Sequence, residues 1–207
     1  MLMEIKEGLS NLLGGATGVA RASRTGAQVV THGHGNYTEP ATKGAIMEAC
    51  TPVAGIAPGT ALSTSPPLTL WNPPSSGKNL AILKSYMGFI SGTLGGGSLV
   101  YAVVPSQVTV PSGGTELVPL CSNVGFPRGV GRVFQSSVVS AVPTIMRPAF
   151  ILGSFLNTSV APPDPSFDHV EGAIIVPPGA CLCLQAIAAA GTSPLVLLAL
   201  IYEELPL

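Results

Sequence analysis

"LTLWNPPSSGKNLAILKSY", residues 68–86, admits two readings with opposite consequences for the fold. A nucleotide-binding loop, G-x-x-x-x-G-K-[ST], lies between a strand and a helix whose amino terminus faces the phosphates. Ser76-Gly77-Lys78 resembles its end, but Asn72 stands where the first Gly is required and Asn79 where Ser or Thr is required. Pro73 and Pro74 also remove two backbone N–H donors that would cradle phosphate. Beyond Lys78 the pattern has the two-residue period of a strand, with Ala81, Leu83, Met87 and Phe89 on one face and Lys84, Tyr86 and Gly88 on the other. The stretch therefore reads as a turn leading into a strand. Gly77 is the residue suited to a positive φ, and the face carrying Ala81 is expected in the core.

The same grammar recurs outward from this point. The chain's 20 Pro and 25 Gly punctuate runs rich in Val, Ile and Leu, so they mark turns between strands and not disorder. Strands are expected over 45–50, 68–71, 79–90, 98–104, 116–121, 132–140, 144–155, 169–176, 180–188 and 195–203, without helical periods between them. That spacing predicts an all-β antiparallel sandwich or barrel over residues 45–207. The apolar stretch from Cys181 to Tyr202 has the length of a membrane span, but Gly191, Thr192, Ser193 and Pro194 interrupt it, and a hairpin of two strands is expected instead. Leu195 to Tyr202 is apolar on both faces, which suits a strand covered on each side or one whose outer face meets another subunit; in a thin sandwich the second is expected.

Residues 1–44 read differently. Leu2, Ile5, Leu9 and Leu12 recur at helical spacing, acidic residues lie near the start and Gly14-Gly15 stop the run, so a short helix is expected over Met1 to Leu13. A helix this short needs a surface to lie on. Gly14 to Gly44 is small and polar with one strand-like run at Gln28 to Thr31, and reads as an extended arm held by a neighbouring subunit or a partner. Glu4, Lys6 and Glu7 do not suit a secretory signal, so no meaning is attached to the sequons at Asn36 and Asn157.

Charged residues make up 9% of the 207-residue chain and hydrophobic ones 46%, where an average soluble domain carries about a quarter charged. The missing charge points to a surface covered by copies or partners; a secreted or thermostable monomer with Ser, Thr and Gly surfaces is the other reading. A net charge of −1 spread over scattered basic residues gives no nucleic-acid-binding face.

Candidate chemistry is sparse. His32 and His34 form an H-x-H that, with His169, would be the ligands of any metal, but glycines flank His34 and no acidic cluster accompanies the pair. Asp164, Asp168, His169 and Glu171 are the densest ionisable set, and read as a charged loop entering a strand edge; Asp168 and His169 would point to opposite faces of that strand. No nucleophile elbow, H-E-x-x-H or spaced Cys/His zinc set occurs. No catalytic, cofactor or metal residue is therefore assigned, and no enzyme, cofactor or membrane role is expected. Cys50, Cys121, Cys181 and Cys183 are expected to be buried free thiols. Trp71 is expected in the core or an interface.

Taken together, Leu70 to Val103 with its "NP..SGKNL.IL" turn and strand, the arm segment "RTGAQVVTHGHGNYTEPATKG", and Val176 to Leu207 with "PPG..L.LQA.AAAGTSP" and the closing "EELP" resemble small virion structural proteins of tailed bacteriophages. The resemblance covers most of the chain, but its motifs are turn and strand motifs. It implies a jelly-roll or related β-sandwich that cements or decorates a capsid, made in the host cytoplasm and carried on the virion exterior. It also implies homotrimers bound to the major capsid protein, with an extended terminus reaching neighbouring subunits. A host-receptor-binding fibre or tail adhesin is the alternative. A small hydrolase built on Asp168 and His169 is a more distant rival. The apolar final strand, Leu197 to Ile201, departs from the expected alternation and concerns the extent of the subunit interface.

Overall fold

Apolar runs cut every few residues by Pro and Gly are too short for packed helices but long enough for strands. The computed structural model describes residues 21–22, 28–29, 36–152 and 166–207, and these are almost entirely β. The expected helix over Met1 to Leu13, His32, His34 and Asp164 lie outside the described residues.

The chain divides into two units, residues 1–38 and 39–207. In the first, β1 (Arg21–Ala22) and β2 (Gln28–Val29) pair antiparallel. Within the stretch read as arm, Thr38–Thr42 forms a helical turn, α1, all but its first residue in the second unit, and Gly44 just after it has φ +70°. Pro40 is tolerated there because a first-turn residue needs no N–H partner.

The second unit then runs β3 (Ile46–Cys50), β4 (Leu68–Trp71), β5 (Lys78–Ser91), β6 (Gly97–Val104), β7 (Thr115–Leu117), β8 (Leu120–Cys121), β9 (Arg132–Gln135), β10 (Thr144–Leu152), β11 (Ser166–Val176), β12 (Cys181–Ile187) and β13 (Leu195–Pro206). One sheet of six strands has the order β10-β6-β12-β4-β9-β7, and a second of five has the order β11-β5-β13-β3-β8. Every pairing is antiparallel, and the two sheets form a sandwich. Among the pairs are β3 with β13, β4 with β12, β5 with β11 and β6 with β10, so the first four strands of the sandwich meet the last four in reverse order.

The main core combines Leu68, Leu70, Leu99, Tyr101, Leu182 and Leu184 from the six-stranded sheet with Met47, Leu80, Ile82, Leu198, Leu200 and Tyr202 from the five-stranded one. A buried hydrogen bond of 2.6 Å between Ser85 Oγ and Tyr101 OH joins β5 to β6 across the interior. Desolvation pushes the Tyr101 and Tyr202 hydroxyls well above the usual tyrosine range, so both remain neutral polar groups.

Three sequence expectations are corrected here. Ala81 and Leu83 are buried but lie outside the main core, to which β5 contributes Leu80, Ile82 and Met87. On the β13 ladder Lys84 pairs with Ile201 and Ile82 with Tyr202, so Leu83 is skipped, and this bulge reverses the alternation halfway along the strand. The expected 116–121 strand is divided between sheets, because Pro119 breaks it into β7 of the six-stranded sheet and β8 of the five-stranded one. Cys181 to Tyr202 is not a hairpin. Its two strands lie in different sheets, linked by a connection in which Ala188 and Ser193 take positive φ values of 58° and 47°.

Candidate interaction surface

The turn at residues 72–78 is a tertiary junction. Asn72 is wholly buried, and its Nδ2 donates to the carbonyls of Lys78 (2.8 Å) and Val176 (2.9 Å), tying the end of β4 to the starts of β5 and the β11–β12 turn. Gly77 has the expected positive φ, 65°. Lys78 Nζ lies 2.9 Å from Glu204 Oε2, whose side chain is fully buried, and Glu204 Oε1 accepts the Gly131 N–H at 2.9 Å. Lys78 thus neutralises a carboxylate of its own chain, in the closing "EELP" segment.

The other candidates are dispersed. Asp168 and His169 occupy opposite faces of β11: Arg147 Nη2 donates to Asp168 Oδ2 at 2.7 Å, while His169 Nδ1 is 3.2 Å from Glu171 Oε1 and packs edge-on to Phe167. The pair therefore does not form an Asp–His couple. These residues belong to the edge strand itself rather than to a loop before it, and the ladder skips from His169 to Ile174 around Glu171 (φ 52°) and Gly172 (φ 81°). Among the described residues, no group of three His, Cys, Asp or Glu side chains is placed to hold a metal, and no helix is long and apolar enough to cross a membrane.

Cys121, Cys181 and Cys183 are buried free thiols, but Cys50 is exposed, a correction to the expectation for that residue. The hydrogen bond shared with Cys181, and then burial, push the Cys183 thiol well up, so it packs as a small neutral group. Trp71 is buried, with Nε1 donating to the Gln107 carbonyl at 2.6 Å.

The feature that stands out is the outer face of the five-stranded sheet. Along β13, Val196, Leu198, Leu200 and Tyr202 face the core, so Leu195, Leu197, Ala199 and Ile201 face outward, where they are only half-buried. Ala199 and Ile201 join Tyr86, Cys50, Glu48, Val118, Leu120 and Val124 around an open groove of about 480 Å³. Leu120 is 70% and Val124 94% exposed, so the groove has an apolar rim that the described residues leave uncovered. Ser122 Oγ donates to Glu48 Oε1 at 2.6 Å and fixes the carboxylate beside the groove. Partial desolvation raises the Cys50 thiol, which therefore sits there uncharged. The sequence signal for this face was the two-sided apolar character of Leu195 to Tyr202. Leu120 and Val124 carried no such signal, because they reach the face from a short strand and a loop.

Comparison with protein-family models, with curated proteins and with solved structures finds no match for this chain.

Proposed function

We propose that this protein is a virion structural protein that cements or decorates the capsid exterior of a tailed bacteriophage, binding across capsomers of the major capsid protein as a homo-oligomer, with a homotrimer as the expected form. The observation that carries the reading is the uncovered apolar face of the five-stranded sheet, in a chain with 9% charged residues. A chain working alone in water would be expected to carry charge there, whereas a subunit would bury that face against a neighbour.

The reversed pairing of the first four sandwich strands with the last four supports reading the sandwich as a jelly roll, an architecture that recurs in viral capsid proteins. Its function would be mechanical. Apolar area contributes about 25 cal/mol per Å² when buried, so a modest contact repeated over a shell resists internal pressure.

The test is the position and stoichiometry of the chain in intact particles, by cryo-electron microscopy and quantitative mass spectrometry. Density at capsomer junctions, in copy number matching the shell lattice, is the expected result; a few copies confined to a tail tip or fibre would overturn it. Removal of Met1 to Gly26 is expected to leave the sandwich folded and to weaken binding to purified shells. Unchanged saturation by the truncated chain would remove the arm from the mechanism.

A further inference from the structure

We propose that the outer face of the five-stranded sheet is a self-association surface, on which a second copy of this chain packs about a two-fold axis running along β13. The sheet is laid out for that operation. β13 is the middle strand of β11-β5-β13-β3-β8, with two strands on either side. A two-fold along it carries β5 onto β3 of the second copy and β11 onto β8 of the second copy.

The side chains complement one another under this axis. His169, Lys84, Ile201, Glu48 and Leu120 are successive cross-strand partners and form one row across the sheet. Paired residues of adjacent strands share a face. Ile201, at the centre, meets its own mate, while Lys84 sits over Glu48 of the second copy and Glu48 over Lys84. In the next row, Tyr86, Ala199 and Cys50 are partners, so the Tyr86 ring lies over the neutral Cys50 thiol of the second copy. At the margins, the protruding Leu120 lies over the His169 side of the opposite face.

The charges select this axis. A two-fold running across the strands would set Lys84 over Lys84 and Glu48 over Glu48, and like charges so placed oppose association. Inclining the axis about 15° from β13 would give the roughly 30° crossing of aligned sheet packings. At a strand spacing of about 4.8 Å and a rise of about 3.3 Å per residue, Leu195 to Glu203 spans roughly 30 Å and the five strands roughly 25 Å. However, β3 contributes only five residues and β8 two, and Ile46 and Ala81 beside Glu203 are already buried. The open part is therefore smaller than the roughly 800 Å² per partner of a standard interface, and the contact is of the weak class. Glu203 is the one charge that falls on the axis and opposes itself, and it limits the strength of the contact.

This inference does not depend on the virion reading, since it concerns the purified chain with no shell present. The experiment is sedimentation equilibrium on the full chain across a concentration series. The expected species has twice the 20.9 kDa chain mass, or six times it where the homotrimers of the proposed function pair through this face. Lys84→Glu and Glu48→Lys are each expected to raise the dissociation constant about thirtyfold, because each sets like charges together, and the double exchange Lys84→Glu/Glu48→Lys is expected to restore it. Glu203→Gln is expected to tighten association. Circular dichroism and thermal unfolding of every variant verify that the sandwich is intact. A chain that stays monomeric, or forms only trimers, up to its solubility limit would overturn the proposal. So would single reversals without effect, or a double exchange weaker than either single change.

Discussion

The two outer faces of the sandwich are both apolar, yet the chain treats them in opposite ways. Over the six-stranded sheet, Trp71, Val104, Phe134, Val139, Cys181 and Cys183 form a second buried cluster, roofed by the segments that follow β6 and β9. Gln107 holds that roof down. It is 2% exposed, its carbonyl accepts from Trp71, its Nε2 donates to the Thr109 carbonyl at 2.7 Å, and its Oε1 accepts the Ser140 N–H at 2.7 Å. Over the five-stranded sheet Ile46 and Ala81 are buried beside Glu203, but among the described residues no comparable roof covers Ala199, Ile201 and Leu120, which border an open groove. The covered face is therefore a contributor to monomer stability, and the open face, under the association proposed above, a contributor to contacts between molecules. An apolar face that folding leaves wet retains its driving force for association.

Substitutions on the two faces should separate these roles. The largest loss is expected for Trp71→Ala on the covered face, about 3–5 kcal/mol as for other buried aromatic truncations, read as a lowered urea midpoint. The removal also leaves the Gln107 carbonyl without its N–H donor. Next is Lys78→Met, expected to cost about 2–3 kcal/mol, because it strands the buried Glu204 carboxylate with only the Gly131 N–H. If Lys78→Met leaves the midpoint where it was, the buried pair is not holding the turn to the terminal strand.

Smaller effects are expected nearer solvent. Arg132 donates twice to Glu116 and lies over the Trp71 and Phe134 rings, at 5.6 and 5.1 Å from their centroids, so the ion pair closes the edge of the covered face. The Arg132 hydrogen bonds hold the Glu116 carboxyl below its usual pKa. A folded-state pKa below the unfolded one contributes stability above the unfolded value, and that contribution is lost as pH falls through the folded value. Glu116→Gln is therefore expected to cost less than about 1 kcal/mol at pH 7, an exposed pair being largely screened by solvent. The difference from the parent should shrink steadily in acid titrations of thermal stability. Smallest of all is Leu120→Ser on the open face, expected to shift monomer stability by no more than about 0.5 kcal/mol. A loss as large as that of Trp71→Ala would erase the distinction between the two faces.

Much of this was legible along the chain. The two-residue period after Lys78, the prolines that break the phosphate-loop pattern and the Gly77 turn are local properties, set by sterics and backbone donors within a few residues. The apolar outer positions of β13 were visible for the same reason, since alternation assigns them a face without reference to any partner. The misassigned half of β5 was not legible, because a bulge at Leu83 depends on how β13 and β11 seat against it. The chain crossing after Ile187 was hidden too, because two strands and a turn look alike whether they pair or part.

By itself the sequence determined the all-β class, the position of most strands, the rigid turn at Asn72 to Lys78 and the excess of apolar surface over charge. These follow from residue-level preferences for φ, ψ and burial, which act over short distances along the chain. Only the tertiary structure decided which acid Lys78 neutralises, which strand joins which sheet, and which of two apolar faces stays open. Those outcomes depend on contacts between residues distant in sequence, such as Lys78 with Glu204 or Trp71 with Gln107, whose free energy arises only when the sandwich closes.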